Sequence, residues 1–191
     1  IFPNMKFIRI FLFFFLFFEY SILKADIKKK IIENIKGTDS IKFNFIQITN
    51  NQKEERGICY LKRPYYLKCE YKDKNQKQLI VNRNKLVIYH KRYEKIYNYP
   101  LSKSYFTEIL NKEKFSKMIT GGILEKKDNA FLVNCSLKEK GQIAFYFDNK
   151  NYNLYSWDLI SLNNSKITFK LLNPVKNSEI KETFFNIPVK N

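Results

Sequence analysis

The chain has 191 residues, enough for one domain plus a short added segment. Its 35 Lys and Arg against 18 Asp and Glu give a net charge of +17, but 30 of those 35 are Lys, and Lys, Asn, Ile, Phe and Tyr make up 105 residues, so AT-rich codon usage is a source of the charge beside any polyanion. At 45% hydrophobic and 17% aromatic the chain is too apolar for disorder, its three Cys without Cys-x-x-Cys exclude a disulfide mini-protein or a Cys-rich zinc module, and one His argues against a His-based metal site or triad.

The chain opens with an export pattern. Met5 reads as the initiator, with residues 1–4 upstream of it. Lys6 and Arg9 form a basic start, and Ile10–Phe18 (IFLFFFLFF) is an apolar run of nine. That length suits a signal-peptide core and is short for a bilayer span. A membrane anchor would need the run to continue through Glu19 and Lys24. Cleavage is expected after Ala25, giving a signal peptide over residues 1–25 and a single domain over 26–191. The first Cys is Cys59, so no Cys stands near this cleavage site to carry a lipid anchor, and the exported form is expected to be soluble in the periplasm.

Asp26 is a candidate N-cap for an amphipathic helix. Ile27, Ile31, Ile32 and Ile35 follow at helical spacing, with Lys28, Lys29, Lys30 and Lys36 outside the stripe and Gly37 as the stop. From Asp39 the period falls to two. Ile41, Phe43 and Phe45 alternate with Lys42 and Asn44, which predicts a half-buried strand. Gly57–Leu61 predicts a second strand, broken at Arg63-Pro64, with a hairpin partner over Tyr66–Tyr71. Gln78–Val81 and Leu86–Tyr89 flank a turn at residues 82–84, and Lys95–Tyr99 ends at Pro100. A helical interruption follows Ser104, a candidate N-cap, with Tyr105, Phe106, Ile109 and Leu110 on its apolar side, and closes at Gly121-Gly122. Strands resume over residues 123–126, 131–135, 142–148, 154–162 and 167–172. About ten strands in a meander, with two helical segments and no βαβ alternation, predict an α+β fold: one open, strongly curved antiparallel barrel with helices over its open face. Such a body has an interior that side chains or a ligand must fill.

Five segments, in order, carry a resemblance. They are Ile41–Gln47 (IKFNFIQ); Gly57–Pro64 (GICYLKRP); Leu67–Tyr71 with Leu79–Val81 and Leu86–Tyr89; Pro100-Leu101 with the short helix near Phe106; and Tyr155–Asp158, Ile167–Phe169 and Phe184–Pro188 as closing strands. This pattern resembles the periplasmic outer-membrane lipoprotein carrier family (LolA-like proteins). Lys62-Arg63-Pro64 is its most specific part. Cys69 replaces a usual aromatic, Arg83-Asn84 a usual turn glycine and His90 a usual Asp.

The resemblance implies a helical lid over a hydrophobic cavity that shields acyl chains on the way from the inner to the outer membrane. An exposed palmitoyl-sized chain costs about 12 kcal/mol in water, at about 0.8 kcal/mol per methylene. The implied partners are acylated lipoproteins, an inner-membrane lipoprotein-releasing transporter and an outer-membrane acceptor; a monomer is expected, and no nucleic acid, cofactor, metal or catalytic residue. Arg63 is the implied lid-closing residue, its guanidinium bonding backbone groups of the lid helices. The expected cavity and lid residues are Ile31, Ile35, Phe43, Phe45, Leu61, Leu67, Cys69, Tyr71, Ile109 and Leu110. His90 reads as a strand-end residue and Trp157 as core. Two other readings remain: a related periplasmic lipid-binding or sensing module, and a basic exported polyanion-binding protein. Cys59 and Cys69 lie about equally far from the hairpin tip and can pair in an oxidising compartment, leaving Cys135 unpaired.

Overall fold

A computed structural model describes residues 24–189. Helix α1 takes residues 24–36 of these. The expected signal peptide lies outside the described residues except for Lys24 and Ala25, which are already helical. Asp26 is therefore no N-cap. It lies inside α1 and pairs with Lys30 one turn on, at 2.8 Å. Ile27, Ile31 and Ile35 are buried as the helical spacing predicts, and α1 ends where the Gly37 N–H reaches the Glu33 carbonyl at 2.9 Å.

The strands are β1 (Ser40–Thr49), β2 (Glu54–Lys62), β3 (Tyr66–Tyr71), β4 (Lys77–Asn82), β5 (Lys85–His90), β6 (Lys95–Pro100), β7 (Ile123–Lys126), β8 (Ala130–Ser136), β9 (Gln142–Asp148), β10 (Leu154–Ile160) and β11 (Lys166–Lys176). They form one antiparallel sheet in the order β6-β5-β4-β3-β2-β1-β11-β10-β9-β8-β7. It is a strongly curved, unclosed barrel with helices on its concave side, and the predicted α+β class holds.

The topology makes the cover. One meander steps outward from β1 to the β6 edge, and the other starts at the β7 edge and steps back to pair β11 with β1. The chain between β6 and β7 must cross the whole sheet. That crossing carries α2 (Phe106–Ile109) and α3 (Lys112–Gly121). The single predicted interruption is thus two helices. They break at Asn111, whose side chain accepts from the Lys114 N–H at 2.9 Å and caps α3. Ser104 Oγ does receive the Phe106 N–H, at 3.3 Å.

Odd-numbered residues of β1 face the concavity, and their cross-strand neighbours face it with them. Phe45, Phe169 and Trp157 stack across three strands, with ring centroids 4.9 and 4.4 Å apart. Gly57 makes room for this ladder. A Cβ there would sit 2.6 Å from the Phe45 ring and 2.1 Å from the Glu70 carbonyl.

Two features of the C-terminal half depart from simple alternation. On β11, Asn44 pairs with Leu172 but Lys42 pairs with Val175, a bulge at Asn173-Pro174. A proline, which offers no N–H to the ladder, is tolerated there. The segment after β11 is not the expected closing strand. Both edges of β1 are already taken, by β2 and β11, and the chain instead runs over the convex face. There Phe185 is fully buried, its ring is 5.4 Å from Tyr66, and its carbonyl accepts from Asn82 Nδ2 at 3.2 Å. This strap packs on β3 and β4, and Ile80 and Val87 on the same convex face are fully buried, which explains why Leu79–Val81 and Leu86–Ile88 read as unbroken apolar runs: both faces of β4 and β5 are buried there.

Candidate functional site

The tip of the β2–β3 hairpin is a three-residue loop, residues 63–65, closed by the Lys62–Tyr66 pair. Arg63-Pro64 is a cis peptide, and Tyr65 has φ of 68°. The Arg63 N–H is fixed on the Asp39 carbonyl at 2.8 Å, which aims the side chain at the helices. Arg63 Nη1 donates to the Thr38 carbonyl at 2.8 Å and Nη2 lies 3.5 Å from the Ile109 carbonyl. These carbonyls stand just beyond α1 and at the end of α2, where a helix leaves acceptors unpaired. The guanidinium carbon is 5.9 Å from the Phe115 ring centre, and Nε has no partner among the described residues. Burial pushes Arg63 down to about 10, with Asp39 acting the other way, so it stays charged at neutral pH. Beside it, Tyr65 Oη accepts from Asn111 Nδ2 at 3.0 Å.

Two lysines join the helices into one cover. Lys28 of α1 donates to the Thr120 and Gly122 carbonyls at the C-terminal end of α3, at 2.7 and 2.6 Å. Lys112 at the start of α3 reaches back to the Lys36 carbonyl at 2.6 Å and to the Asp39 carboxylate. The cover is thus tied to itself at both ends and to the sheet through the hairpin tip.

Under it lies a cavity of about 70 Å³. Its walls are apolar, with Ile35, Phe43, Leu61, Ile109, Phe115 and Trp157 prominent. Among the described residues no acidic one lines it, and the charged residues that do are Arg63 and Lys176. Lys176 Nζ donates to the side-chain oxygens of Asn34 on α1 and Asn153 in the β9–β10 turn. Burial, and then the Arg63 charge, push the Lys176 pKa down. The bulge puts Lys176 here. Phe169 and Leu171 face inward; unbroken alternation would turn an even-numbered residue outward, and the extra residue reverses the phase.

Of the residues expected to form the site, Arg63, Ile35, Phe43, Leu61 and Ile109 meet at this cavity. Ile31, Phe45, Leu67, Cys69 and Leu110 are buried in the same core but off the cavity wall. Tyr71 is half-buried at the far end of the concave face, its hydroxyl on Gln47 Oε1 at 3.0 Å. Cys69 is bonded to Cys59, its direct cross-strand neighbour, at a Cα separation of 4.1 Å, and Cys135 is free and buried. His90 ends β5 with its ring against Tyr97, and Trp157, expected as core, is also cavity wall. Sequence reasoning missed Phe115, Tyr65 and Lys176. Phe115, Met118 and Ile119 are spaced as a helix stripe, so Phe115 was legible; the other two depend on the loop and the bulge.

An unclosed antiparallel sheet curved round an apolar cavity, with a helical cover latched by a hairpin, defines the class of protein. The chain belongs to the outer membrane lipoprotein carrier protein LolA family, whose model matches residues 36–188. Solved structures share the fold. An uncharacterized conserved protein from Thermus thermophilus matches with 8% identity and a TM-score of 0.56 over 86% of this chain and 93% of that one. A DUF1329 family protein from Desulfovibrio piger gives 8% and 0.52 over 86% and 96%. The Pseudomonas aeruginosa MucA/MucB complex gives 9% and 0.50 over 86% and 61%. No curated protein sequence matches. Among the described residues no helix is long and apolar enough to cross a membrane.

Proposed function

We propose that this chain is a soluble periplasmic carrier, without catalytic activity, that shields the acyl chains of lipoproteins between the inner and outer membranes. The observation that carries this reading is Arg63, which bonds the carbonyls at the C-terminal ends of two helices, α1 and α2, of a cover over an apolar cavity. At about 70 Å³ the closed cavity is far below the roughly 300–1,000 Å³ of ligand pockets. Uptake therefore requires the cover to lift and the Arg63 bonds to break. Cargo affinity is reduced by that cost, because only the opened fraction binds. This weakening lets an outer-membrane acceptor take the cargo, and an inner-membrane transporter supplies it. Ile35 and Ile109 of the cover, with Phe43 and Leu61 of the floor, would meet the acyl chains first.

The test is to incubate the purified protein with an acyl fluorophore and with inner-membrane vesicles bearing triacylated lipoprotein. The reading expects probe uptake and a one-to-one carrier–cargo complex released from the vesicles. Probe uptake without a cargo complex would leave a lipid-binding module of another kind.

A further inference from the structure

We infer that the opened cavity selects amphiphiles with an acidic head group, a phosphate or a carboxylate, seated between Arg63 and Lys176 while the chain lies on the apolar floor. This rests on the reading of the cavity as an acyl-chain site and adds a head-group subsite to it.

Three observations converge. First, the charged residues on the cavity wall are both cations. A surface of dispersed lysines does not produce that, because an apolar cavity disfavours each charge it meets. Second, among the described residues neither cation is matched by a carboxylate hydrogen bond. Lys176 sits on two neutral amide oxygens and Arg63 on backbone carbonyls, with Nε unpartnered. The Asp39 carboxylate, the acid nearest Arg63 in its effect, is mostly exposed and already bonded to Lys112. Third, opening strips both at once. Asn34 and Thr38 belong to the α1 side of the cover and Ile109 to α2, so lifting it removes one amide from Lys176 and both carbonyls from Arg63. An anion bridging the two replaces the lost bonds with charge-assisted ones. The β11 bulge, which turns Lys176 inward, is the backbone feature that builds this pair.

The test is competition against a bound acyl fluorophore with single-chain amphiphiles of one chain length: a fatty acid, a lysophosphatidylglycerol, a neutral monoacylglycerol and a zwitterionic lysophosphatidylcholine. The readout is the ratio of anionic to neutral affinity, which stays meaningful if a variant also loosens the cover. The wild type is expected to prefer the anionic ligands about tenfold, the effect of roughly one charge-assisted bond. The fatty-acid and lysophosphatidylglycerol arms separate carboxylate from phosphate. Lys176→Met should lower the ratio markedly, Arg63 alone holding what remains, and Lys176→Arg should keep it, with thermal melts confirming folding. A wild-type ratio near one overturns the subsite and leaves the carrier reading standing. An anionic preference undiminished by Lys176→Met also overturns it, since Lys176 then takes no part in holding the head group. Failure of every acyl ligand to displace or bind overturns both.

Discussion

Lys77, at the far end of the concave face, is matched by a carboxylate and backed by an aromatic ring. Its Nζ lies 2.9 and 3.0 Å from the two Glu55 carboxylate oxygens and 3.8 Å from the centre of the Tyr71 ring. About six residues away along β1, or roughly 20 Å, Arg63 and Lys176 meet only neutral acceptors, and those acceptors sit largely on the cover. One end therefore holds its charge in a completed network of Gln47, Glu55, Tyr71 and Lys77 fixed entirely within the sheet. The other holds its charges with groups that must move when a ligand enters. The far end carries stability, and the mouth is arranged to be undone at modest cost.

The largest expected effect is at the far end. Phe45→Ala removes a ring stacked on Phe169, set edge-on to Tyr71 and lodged over Gly57, and should cost about 3–5 kcal/mol in urea unfolding. Phe43→Ala should cost less, because Phe43 already borders a void on one side and has fewer contacts to lose there. Equal costs would erase the distinction between a filled floor and a cavity wall.

Reduction of Cys59–Cys69 comes next. The bond closes a loop of sequence separation 10, and chain entropy predicts a loss of about 2–3 kcal/mol. That should appear as a melting temperature lower by roughly 5–10 °C in reductant. Acyl-probe affinity should hold, because the disulfide lies off the cavity wall. Thiol titration of the denatured, unreduced protein should find only Cys135; three reactive thiols would contradict the bond.

Glu55→Gln should be smaller, about 1–3 kcal/mol by thermal or urea unfolding, since it leaves Lys77 a neutral partner in a site with little solvent access. Its effect on probe affinity should be nil. A change in affinity without loss of stability would mean that the two ends are coupled.

Much of this was readable from residue pattern. Ile41, Phe43 and Phe45 fixed which face of β1 is inward, and Gly57–Leu61 with Tyr66–Tyr71 around Arg63-Pro64 fixed the hairpin that presents the latch. The isoleucine stripe located the buried face of α1. What was hidden follows from backbone events that alternation cannot register. The Asn173-Pro174 bulge shifts the phase of β11 by one residue, so Lys176 looks like another outward lysine until the pairing is known. Ile80 and Val87 are buried on the convex side, opposite the cavity, where the strap runs, and a continuous apolar run does not say which face its cover comes from. Asp26 resembled an N-cap because its acid precedes the stripe, but the same residue serves equally inside the first turns, one turn from Lys30.

The central claim is that the Arg63 bonds set how readily cargo leaves, and Arg63→Leu tests it most directly. Those bonds stabilise the empty, covered state by about 1.5–3 kcal/mol, and the ester- and amide-linked acyl groups of a triacylated lipoprotein offer Arg63 no acidic head group in exchange, so loss of the bonds should tighten binding of that cargo about ten- to a hundredfold. Carrier–cargo complex at steady state and the rate of handover to outer-membrane acceptor vesicles are measured side by side for wild type and variant. Loaded variant carrier should accumulate while uptake from the donor membrane continues and handover slows by at least about tenfold. Handover at the wild-type rate, with no excess of loaded carrier, would show that the guanidinium is only a buried hairpin charge and would contradict the account.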